Sequence, residues 1–258
     1  MNLRRFLART ISETMAGVTW LHPPADGLRV LMYHAIGTPA LGDTLGLFSL
    51  PTEHFRQHMA FLAEWTQGRV VDFNSSALSD VGCRVAITFD DGYLDNLERA
   101  APILCGLNFP FTVFVTSEFI RSGKAGFLSP AALRALAALP GAKIGAHGAN
   151  HVALTQCDEA TLRNELTRSR YYLEDLISRP VEAISYPYGA VDLRVRKMAA
   201  EVGFILGACS HAGLNKAGRD PLLLCRTEVM SYDNVRLFKQ KLHGDWDWYK
   251  WRNRDPAT

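Results

Sequence analysis

The chain has 258 residues, of which 48% are hydrophobic and 21% are charged, and its formal net charge is +2. This length can bury a large core, and the composition is that of an ordinary globular protein. A net charge this small, with no long basic run, excludes a nucleic-acid partner.

The cysteines and the amino terminus bear on the cellular location. Five widely spaced cysteines with no CxxC pair favour reduced thiols over a disulfide framework. Polar residues between positions 9 and 14 interrupt the apolar stretch that a secretory signal needs. No segment reaches the roughly 18 continuous apolar residues that span a membrane. We therefore expect a cytoplasmic protein.

Short apolar segments alternate with longer amphipathic ones along the chain. The apolar segments are bounded by Gly, Pro or Asp, as buried parallel strands are, and they cover 29–33, 84–89, 111–115, 142–146, 182–186 and 204–209. Helices are predicted between them over 52–65, 94–105, 130–139, 158–177 and 192–202. This alternation predicts an α/β fold, in which a barrel or barrel-like parallel sheet is covered by helices in a single domain.

Polar residues follow four of the predicted strands directly. The four clusters are 33–34, 90–92, 147–151 and 186–189. In a parallel barrel the carboxyl ends of all strands lie on one face, and that face holds the active site. We therefore expect these clusters to meet in space.

Asp90 and Asp91 leave their strand in different directions, which argues for different tasks. Two ionised carboxylates this close repel each other unless a cation lies nearby. A metal bound by one carboxylate, with the other acting as a base, gives each a role. The alternative is that Asp-Asp-Gly is only a turn before the next helix.

His147 and His151 are four positions apart, so a helical turn or a compact loop brings both rings to one side. Imidazole pairs at this spacing are common zinc ligands, and a third carboxylate ligand leaves a position for water. The alternative is a pair of surface histidines beside a glycine. The presence of this pair after one strand and of Asp-Asp-Gly after another favours the metal site.

Three segments together resemble the first three motifs of the polysaccharide deacetylases, the NodB-homology group. The segments are 88–92, 147–151 and 186–189, and the resemblance extends over about residues 29 to 230. It implies a distorted (β/α) barrel of about seven parallel strands. We place this domain at 29–243, after an N-terminal extension over 1–28 that is helical in part, and before an aromatic and basic tail over 244–258.

The resemblance also implies roles for individual residues. Asp91, His147 and His151 resemble the ligands of a divalent metal, for which zinc is the expected ion. Asp90 resembles the general base, and the backbone amide of Tyr188 resembles the group that binds the oxyanion.

The chain departs from the family pattern in its second and third motifs. Gly148 stands where Ser or Thr is usual, and the change would remove a hydrogen bond next to a ligand. Ser185 and Tyr186 occupy the stretch where the family often has an arginine. Arg226 resembles a later arginine that reaches the base aspartate, and a surface salt bridge is the alternative.

The general acid is the least regular part of the resemblance. Many members use a C-terminal Leu-x-His, which has no convincing equivalent in this chain. His34 resembles the Tyr-His motif of the branch that deacetylates poly-N-acetylglucosamine, where an early histidine takes this place. We assign His34 as the acid, with His211 and then His243 as alternatives.

The implied function is hydrolysis of the N-acetyl group of an amino sugar in a poly- or oligosaccharide or a lipid-linked glycan, in cell-surface polysaccharide biosynthesis. One alternative is hydrolysis of a non-sugar amide or imide. Another is a degenerate member that binds glycans without turnover, although such a module needs neither a metal nor a base. The oligomeric state is left open.

Both ends of the chain have features of a membrane interface. Leu3, Phe6 and Leu7 share a helical face near several arginines. The tail over 246–252 mixes aromatic with basic residues, which suits a membrane interface, a sugar platform or a protein contact. Together the ends predict peripheral contact with the inner face of the membrane, and a tail packed on the barrel is the alternative.

Overall fold

A curled parallel sheet forms the centre of the computed structural model, which describes residues 24–79, 81–248 and 255–257. The strands are β1 (Gly27–Tyr33), β2 (Ala35–Ile36), β3 (Ser49–Leu50), β4 (Gly68–Val70), β5 (Cys83–Phe89), β6 (Phe111–Val115), β7 (Ala142–Ala146), β8 (Ala183–Ser185), β9 (Leu206–Ala208) and β10 (Thr227–Glu228). The main sheet has the order β10-β1-β5-β6-β7-β8-β9, with β4 beside β5, and β2 pairs with β3 separately. The predicted single-domain barrel of about seven parallel strands is confirmed.

The ends of the curled sheet are joined by the segment that leads into β10. Leu224 pairs in parallel with Ala208 at the end of β9. Three residues later Thr227 pairs with Leu31 of β1. The segment from Leu224 to Thr227 therefore pairs with both β9 and β1, and it closes the barrel between them.

Helices cover the outside of the sheet. They are α1 (Thr52–Glu64), α2 (Ala101–Gly106), α3 (Ser117–Arg121), α4 (Pro130–Ala137), α5 (Glu159–Ile177), α6 (Leu193–Val202) and α7 (Val235–His243). Several begin at a side chain that accepts a hydrogen bond from an amide of the first turn, namely Ser129, Asp158, Asp192 and Asn234. The predicted positions of α1, α4, α5 and α6 are confirmed.

The helix predicted over 94–105 is confirmed, with one irregularity. Asn96–Ala100 has π-helical hydrogen bonding, and α2 follows it without an interruption of the helix. Pro102 lies in the first turn of α2 and has no backbone N–H to donate to the preceding turn, so regular α-helical bonding cannot run through it.

The described part of the tail packs against the barrel. Asp247 accepts hydrogen bonds of 2.8 and 3.0 Å from the buried guanidinium of Arg29 in β1. Asp255 accepts bonds of 2.6 and 2.7 Å from Arg219. This supports the packed-tail alternative for these residues. Of the membrane-contact predictions, the amino-terminal helical face and positions 249–252 lie outside the described residues.

The described helices include none with both the length and the apolar character needed to cross a membrane. The cytoplasmic location, the peripheral membrane contact and the domain boundaries at 28/29 and 243/244 stay predictions.

Candidate active site

The four polar clusters lie at one edge of the sheet because the strand ladder continues into them. The amide of Asp90 donates to the carbonyl of Tyr33 at 2.9 Å, and the amide of His147 donates to that of Val115 at 2.9 Å. These bonds extend β5 and β7 by one residue and align the side chains that follow. The predicted meeting of the clusters is therefore observed.

Asp91, His147 and His151 converge on one point. Oδ1 of Asp91 lies 3.3 Å from Nε2 of His147 and 3.2 Å from Nε2 of His151. Candidate ligand atoms of the three residues all lie within 4.8 Å of one another. Burial alone would raise the pKa of Asp91, but the two imidazole rings lower it well below its ordinary value. The carboxylate is thus ionised and faces two ring nitrogens.

The donor atoms of this group fit a metal ion. In the described part of the chain, Oδ1 of Asp91 is buried and accepts no hydrogen bond of good geometry. A buried carboxylate oxygen in that state is costly unless a cation or a donor meets it. One carboxylate with two imidazoles is a common zinc ligand set that leaves a coordination position open.

The orientation of each imidazole is set by the contact that its Nδ1 makes. Nδ1 of His147 lies 2.8 Å from the carbonyl oxygen of Ser185, which can only accept, so Nδ1 bears the proton. The lone pair of Nε2 is then directed at Asp91 and the centre of the group. Nδ1 of His151 lies 3.2 Å from the hydroxyl of Tyr188. Both rings therefore present Nε2 to the same point.

Left-handed backbone conformations are concentrated at this site. Of the five non-glycine residues described with positive φ, three are Asp91 (74°), His151 (56°) and Tyr188 (59°). Each such residue costs roughly 1–3 kcal/mol and persists only where its surroundings hold it in place. Strain of this kind collects at functional sites, and it points to this edge of the sheet independently of the ligand pattern.

The loop that bears both histidines is held by a buried carboxylate. Glu165, 3% exposed on α5, accepts hydrogen bonds from the amides of Ala149 (3.0 Å) and Asn150 (2.9 Å) and from the side-chain amide of Asn150. Gly148 has a φ of +69°, and a Cβ there would lie 3.3 Å from Pro187 Cγ. Gly148 thus suits the backbone of this loop, and Glu165 supplies hydrogen bonds that secure it.

Glu165 was absent from the sequence prediction, although the sequence contained a signal. It is the one charged residue among the buried positions of α5, which are otherwise Leu162, Leu166, Ser169 and Leu173. A carboxylate on the apolar face of a helix needs a buried partner. Its partner, two backbone amides of a distant loop, could not be read from the sequence.

Asp90 lies in a closed network of hydrogen bonds. Arg226 donates to both of its carboxylate oxygens at 2.7 Å, and the hydroxyl of Ser185 donates to Oδ2 at 3.1 Å. Arg226 also donates to Ser185 Oγ (2.8 Å) and to the carbonyl of Cys209 (3.0 Å). Burial raises the pKa of Asp90, but the charges of Arg226 and His147 outweigh it and hold the pKa below its ordinary value.

Arg226 is only 1% exposed, so the alternative of a surface salt bridge is wrong. Ser185, which stands in the stretch where the family often has an arginine, joins Arg226 to Asp90. The guanidinium that meets the aspartate therefore comes from the segment that closes the barrel and not from the third motif.

His34 is brought to the site by β1. Its ring packs on Phe48 with ring centroids 4.7 Å apart. The electrostatic effect of His34 is among the smaller causes that lower the pKa of Asp90 and Asp91. The assignment of His34 as the general acid stays a prediction.

The two alternative histidines lie in other surroundings. His211 belongs to a separate cluster with Cys225 and Asp255. His243 is the last residue of α7, where burial lowers its pKa. Tyr188, in contrast, lies beside the metal ligands with its ring 4.6 Å from that of His151 and its side chain 70% exposed.

Comparison with known proteins agrees with this geometry. Residues 81–206 match the family model described as polysaccharide deacetylase. YxkH of Bacillus subtilis (strain 168), which is named a polysaccharide deacetylase, is 27% identical over 207 residues, covering 78% of this chain and 71% of that protein.

Solved structures show the same fold. The deacetylase PplD of Streptococcus pyogenes, solved in complex with acetate, is similar with a TM-score of 0.75 and 24% identity over 85% of this chain and 99% of that chain. IcaB of Ammonifex degensii is similar with a TM-score of 0.67 and 20% identity over 88% and 99% of the two chains. At these identities the structural likeness establishes the architecture.

Proposed function

The chain belongs to the polysaccharide deacetylase family, whose members hydrolyse the carbon–nitrogen bond of acetyl groups, and we propose that its substrate is an N-acetylated amino sugar in a poly- or oligosaccharide or a lipid-linked glycan. We further propose that it acts in cell-surface polysaccharide biosynthesis. The products would be acetate and a free amino sugar.

One observation supports this proposal above the others. Two adjacent carboxylates at the open edge of the sheet are equipped for different tasks. Asp91 joins two imidazoles in a metal ligand set, and Asp90 is held ionised by Arg226. Amide hydrolysis by a metal-dependent enzyme needs a ligand set and a separate base, so this pairing suits the proposed reaction.

Asp91, His147 and His151 would hold a divalent metal, most suitably zinc. A metal bound there supplies Lewis acidity, which polarises the acetamide carbonyl and makes water a better nucleophile near neutral pH. The bond from Nδ1 of His147 to Ser185 keeps that imidazole in the tautomer that such a metal requires.

Asp90 would act as the general base and take a proton from the attacking water. Its two oxygens receive three hydrogen bonds, and a carboxylate has about four lone-pair sites, so one remains for the water. The lowered pKa of Asp90 keeps it ionised at neutral pH, ready to accept.

Tyr188 and His34 would complete the reaction. The left-handed backbone at Tyr188 fixes the direction of its amide N–H, which would donate to the oxyanion of the tetrahedral intermediate. His34 would protonate the departing amine, which is a poor leaving group until it is protonated.

The proposal is tested by acetate release from N-acetylglucosamine oligomers, with and without a chelator. We expect Asp90→Asn to fold and to bind metal while turnover falls by about 10²- to 10⁴-fold. Near-normal turnover in that variant would contradict the role of Asp90. The same substitution at Asp192, the N-cap of α6, is the control and should leave turnover within a few-fold of the wild type.

Two other outcomes would separate the alternatives. A purified protein that contains metal but releases no acetate from any glycan would argue for an amide or imide substrate. A protein that contains no metal and binds glycans without turnover would argue for the degenerate member. For the acid, His34→Gln should lose turnover while His243→Gln keeps it.

A further inference from the structure

A second group of metal-binding side chains lies outside the candidate active site. It consists of His211, Cys225 and Asp255, whose candidate ligand atoms all lie within 4.8 Å of one another. His211 and Cys225 are 9% and 4% exposed, and all three residues line a cavity of about 320 Å³. The group is therefore buried and still accessible to a small ion.

The fold places these residues together for identifiable reasons. Cys225 directly precedes Arg226, and while Arg226 enters the barrel to reach Asp90, Cys225 lines the outer cavity. The amide of Arg226 donates to the carbonyl of His211 at 2.9 Å, which holds His211 beside this segment. Asp255 is brought to the same place by its two bonds to Arg219.

The donor types indicate which ions would bind. A thiol, an imidazole and a carboxylate form a set that suits zinc and similar transition metals, whereas magnesium and calcium prefer oxygen ligands alone. Nε2 of His211 and Oδ2 of Asp255 are 3.9 Å apart, close to the separation of two ligands on one tetrahedral ion. A small inward shift of either side chain would place both at bonding distance.

Arg219 does not exclude this arrangement. Arg219 donates two hydrogen bonds to Asp255, which also accepts one of 3.0 Å from the amide of Ala257, and a bound ion would share the carboxylate with these donors. The charge of Arg219 also balances that of Asp255.

We propose that His211, Cys225 and Asp255 form a second metal site of the zinc type. This site is separate from the candidate active site and does not depend on the reaction proposed above. A bound ion would join the end of β9, the segment that closes the barrel and a residue near the end of the chain.

Cobalt(II) titration of the reduced protein tests the proposal. The ligands of the candidate active site contain no sulfur, so a thiolate-to-cobalt charge-transfer band in the near ultraviolet reports on the second site alone. We expect the wild type to bind two equivalents of cobalt and to show this band. His147→Gln should bind one equivalent and keep the band.

Cys225→Ser should bind one equivalent of cobalt and lose the band. His211→Gln should show the same loss and serves as the test if Cys225→Ser folds poorly. The matched control is Cys105→Ser in α2, which should bind two equivalents and keep the band. No band in the wild type, or a band that persists in both Cys225→Ser and His211→Gln, would overturn the proposal. Circular dichroism checks that each variant is folded.

Discussion

Asp90 and Asp91 are adjacent in the chain, yet their surroundings differ in almost every respect. Asp90 receives three hydrogen bonds, two of them from a buried guanidinium. Asp91 has a left-handed backbone, and its Oδ1 faces two imidazole nitrogens without accepting a hydrogen bond of good geometry from the residues described. The counter-charge of Asp90 is thus part of the protein, whereas that of Asp91 is left to a ligand.

This difference indicates how one tripeptide turn provides two functions. A carboxylate whose cation is built in is held at a fixed charge and position, as a base must be. A carboxylate oxygen that faces two imidazole nitrogens and accepts no hydrogen bond of good geometry is available to an external cation. Changes to the hydrogen-bond partners of Asp90 should therefore act mainly on folding stability, and changes to the groups around Asp91 should act mainly on metal affinity.

The largest effect on folding is expected from Arg226→Met. This change leaves the buried Asp90 carboxylate without its partner, which should lower the free energy of unfolding by about 3–5 kcal/mol. Urea unfolding followed by circular dichroism measures it. The double variant with Asp90→Asn should recover much of the loss, because the uncompensated charge is then gone.

A matched control for Arg226→Met comes from an exposed ion pair. Arg163 and Glu201 are 2.7 Å apart with side chains 50% and 40% exposed, and Arg163→Met should change stability by only about 0–1 kcal/mol. Equal losses of unfolding free energy in Arg226→Met and Arg163→Met would show that the buried Asp90–Arg226 pair matters no more to stability than an exposed ion pair.

A smaller effect, on metal affinity, is expected from Tyr188→Phe. The change removes the hydroxyl 3.2 Å from Nδ1 of His151 and so loosens the orientation of a ligand. Zinc affinity should fall by about 10-fold, the lower end of the usual range for such partners, because water can replace an exposed hydroxyl. Competition with a chromophoric chelator measures the affinity.

Tyr188→Phe should also differ from Arg226→Met in its effect on folding stability. Tyr188 is 70% exposed, so loss of its hydroxyl should change the free energy of unfolding by less than about 0.5 kcal/mol. Tyr171→Phe, at a 60% exposed position of α5, is the control for zinc affinity. Unchanged affinity in Tyr188→Phe would mean that the His151 ring is oriented without the hydroxyl.

The sequence predicted those parts of the molecule whose signal is local. Strands β5 and β6 are buried on both faces and read as continuous apolar runs, so their positions followed from composition. Asp90 and Asp91 follow β5 and the candidate ligand His147 follows β7, and strand ends collect on one face of a barrel. Neither inference needs knowledge of distant contacts.

The missing parts depend on partners far away in the chain. Strand β10 has two residues and is a strand only because β1 lies beside it. The burial of Arg226 is set by an aspartate 136 positions earlier, so the sequence left the surface alternative open. The role of Glu165 likewise needs the loop that it holds, whereas the π-helical turn before Pro102 has a local cause in the sequence.

A last contrast, which is small near neutral pH, extends the comparison from the two aspartates to the histidines. His147 lies beside two carboxylates, which raise its pKa against the effect of burial. His58 on α1 is stacked on Phe238, with ring centroids 4.0 Å apart, and burial lowers its pKa from 6.5 to about 3. His58 therefore stays neutral in the folded protein while the unfolded chain gains a proton as the pH falls below 6.5.

Protonation of the unfolded chain at His58 should lower stability by about 0.7 kcal/mol between pH 7 and pH 6, and by about 1.4 kcal/mol for each further pH unit until the folded pKa is approached. Above about pH 7.5 the residue contributes almost nothing to the pH dependence. Urea unfolding of the wild type and His58→Gln across this range measures the difference, and the slope should be smaller in the variant by these amounts. His54→Gln, one turn earlier on α1, controls for the loss of a histidine from this helix. An equal slope in the wild type and His58→Gln would show that burial does not keep His58 neutral, and the contrast with His147 would then rest on the two carboxylates alone.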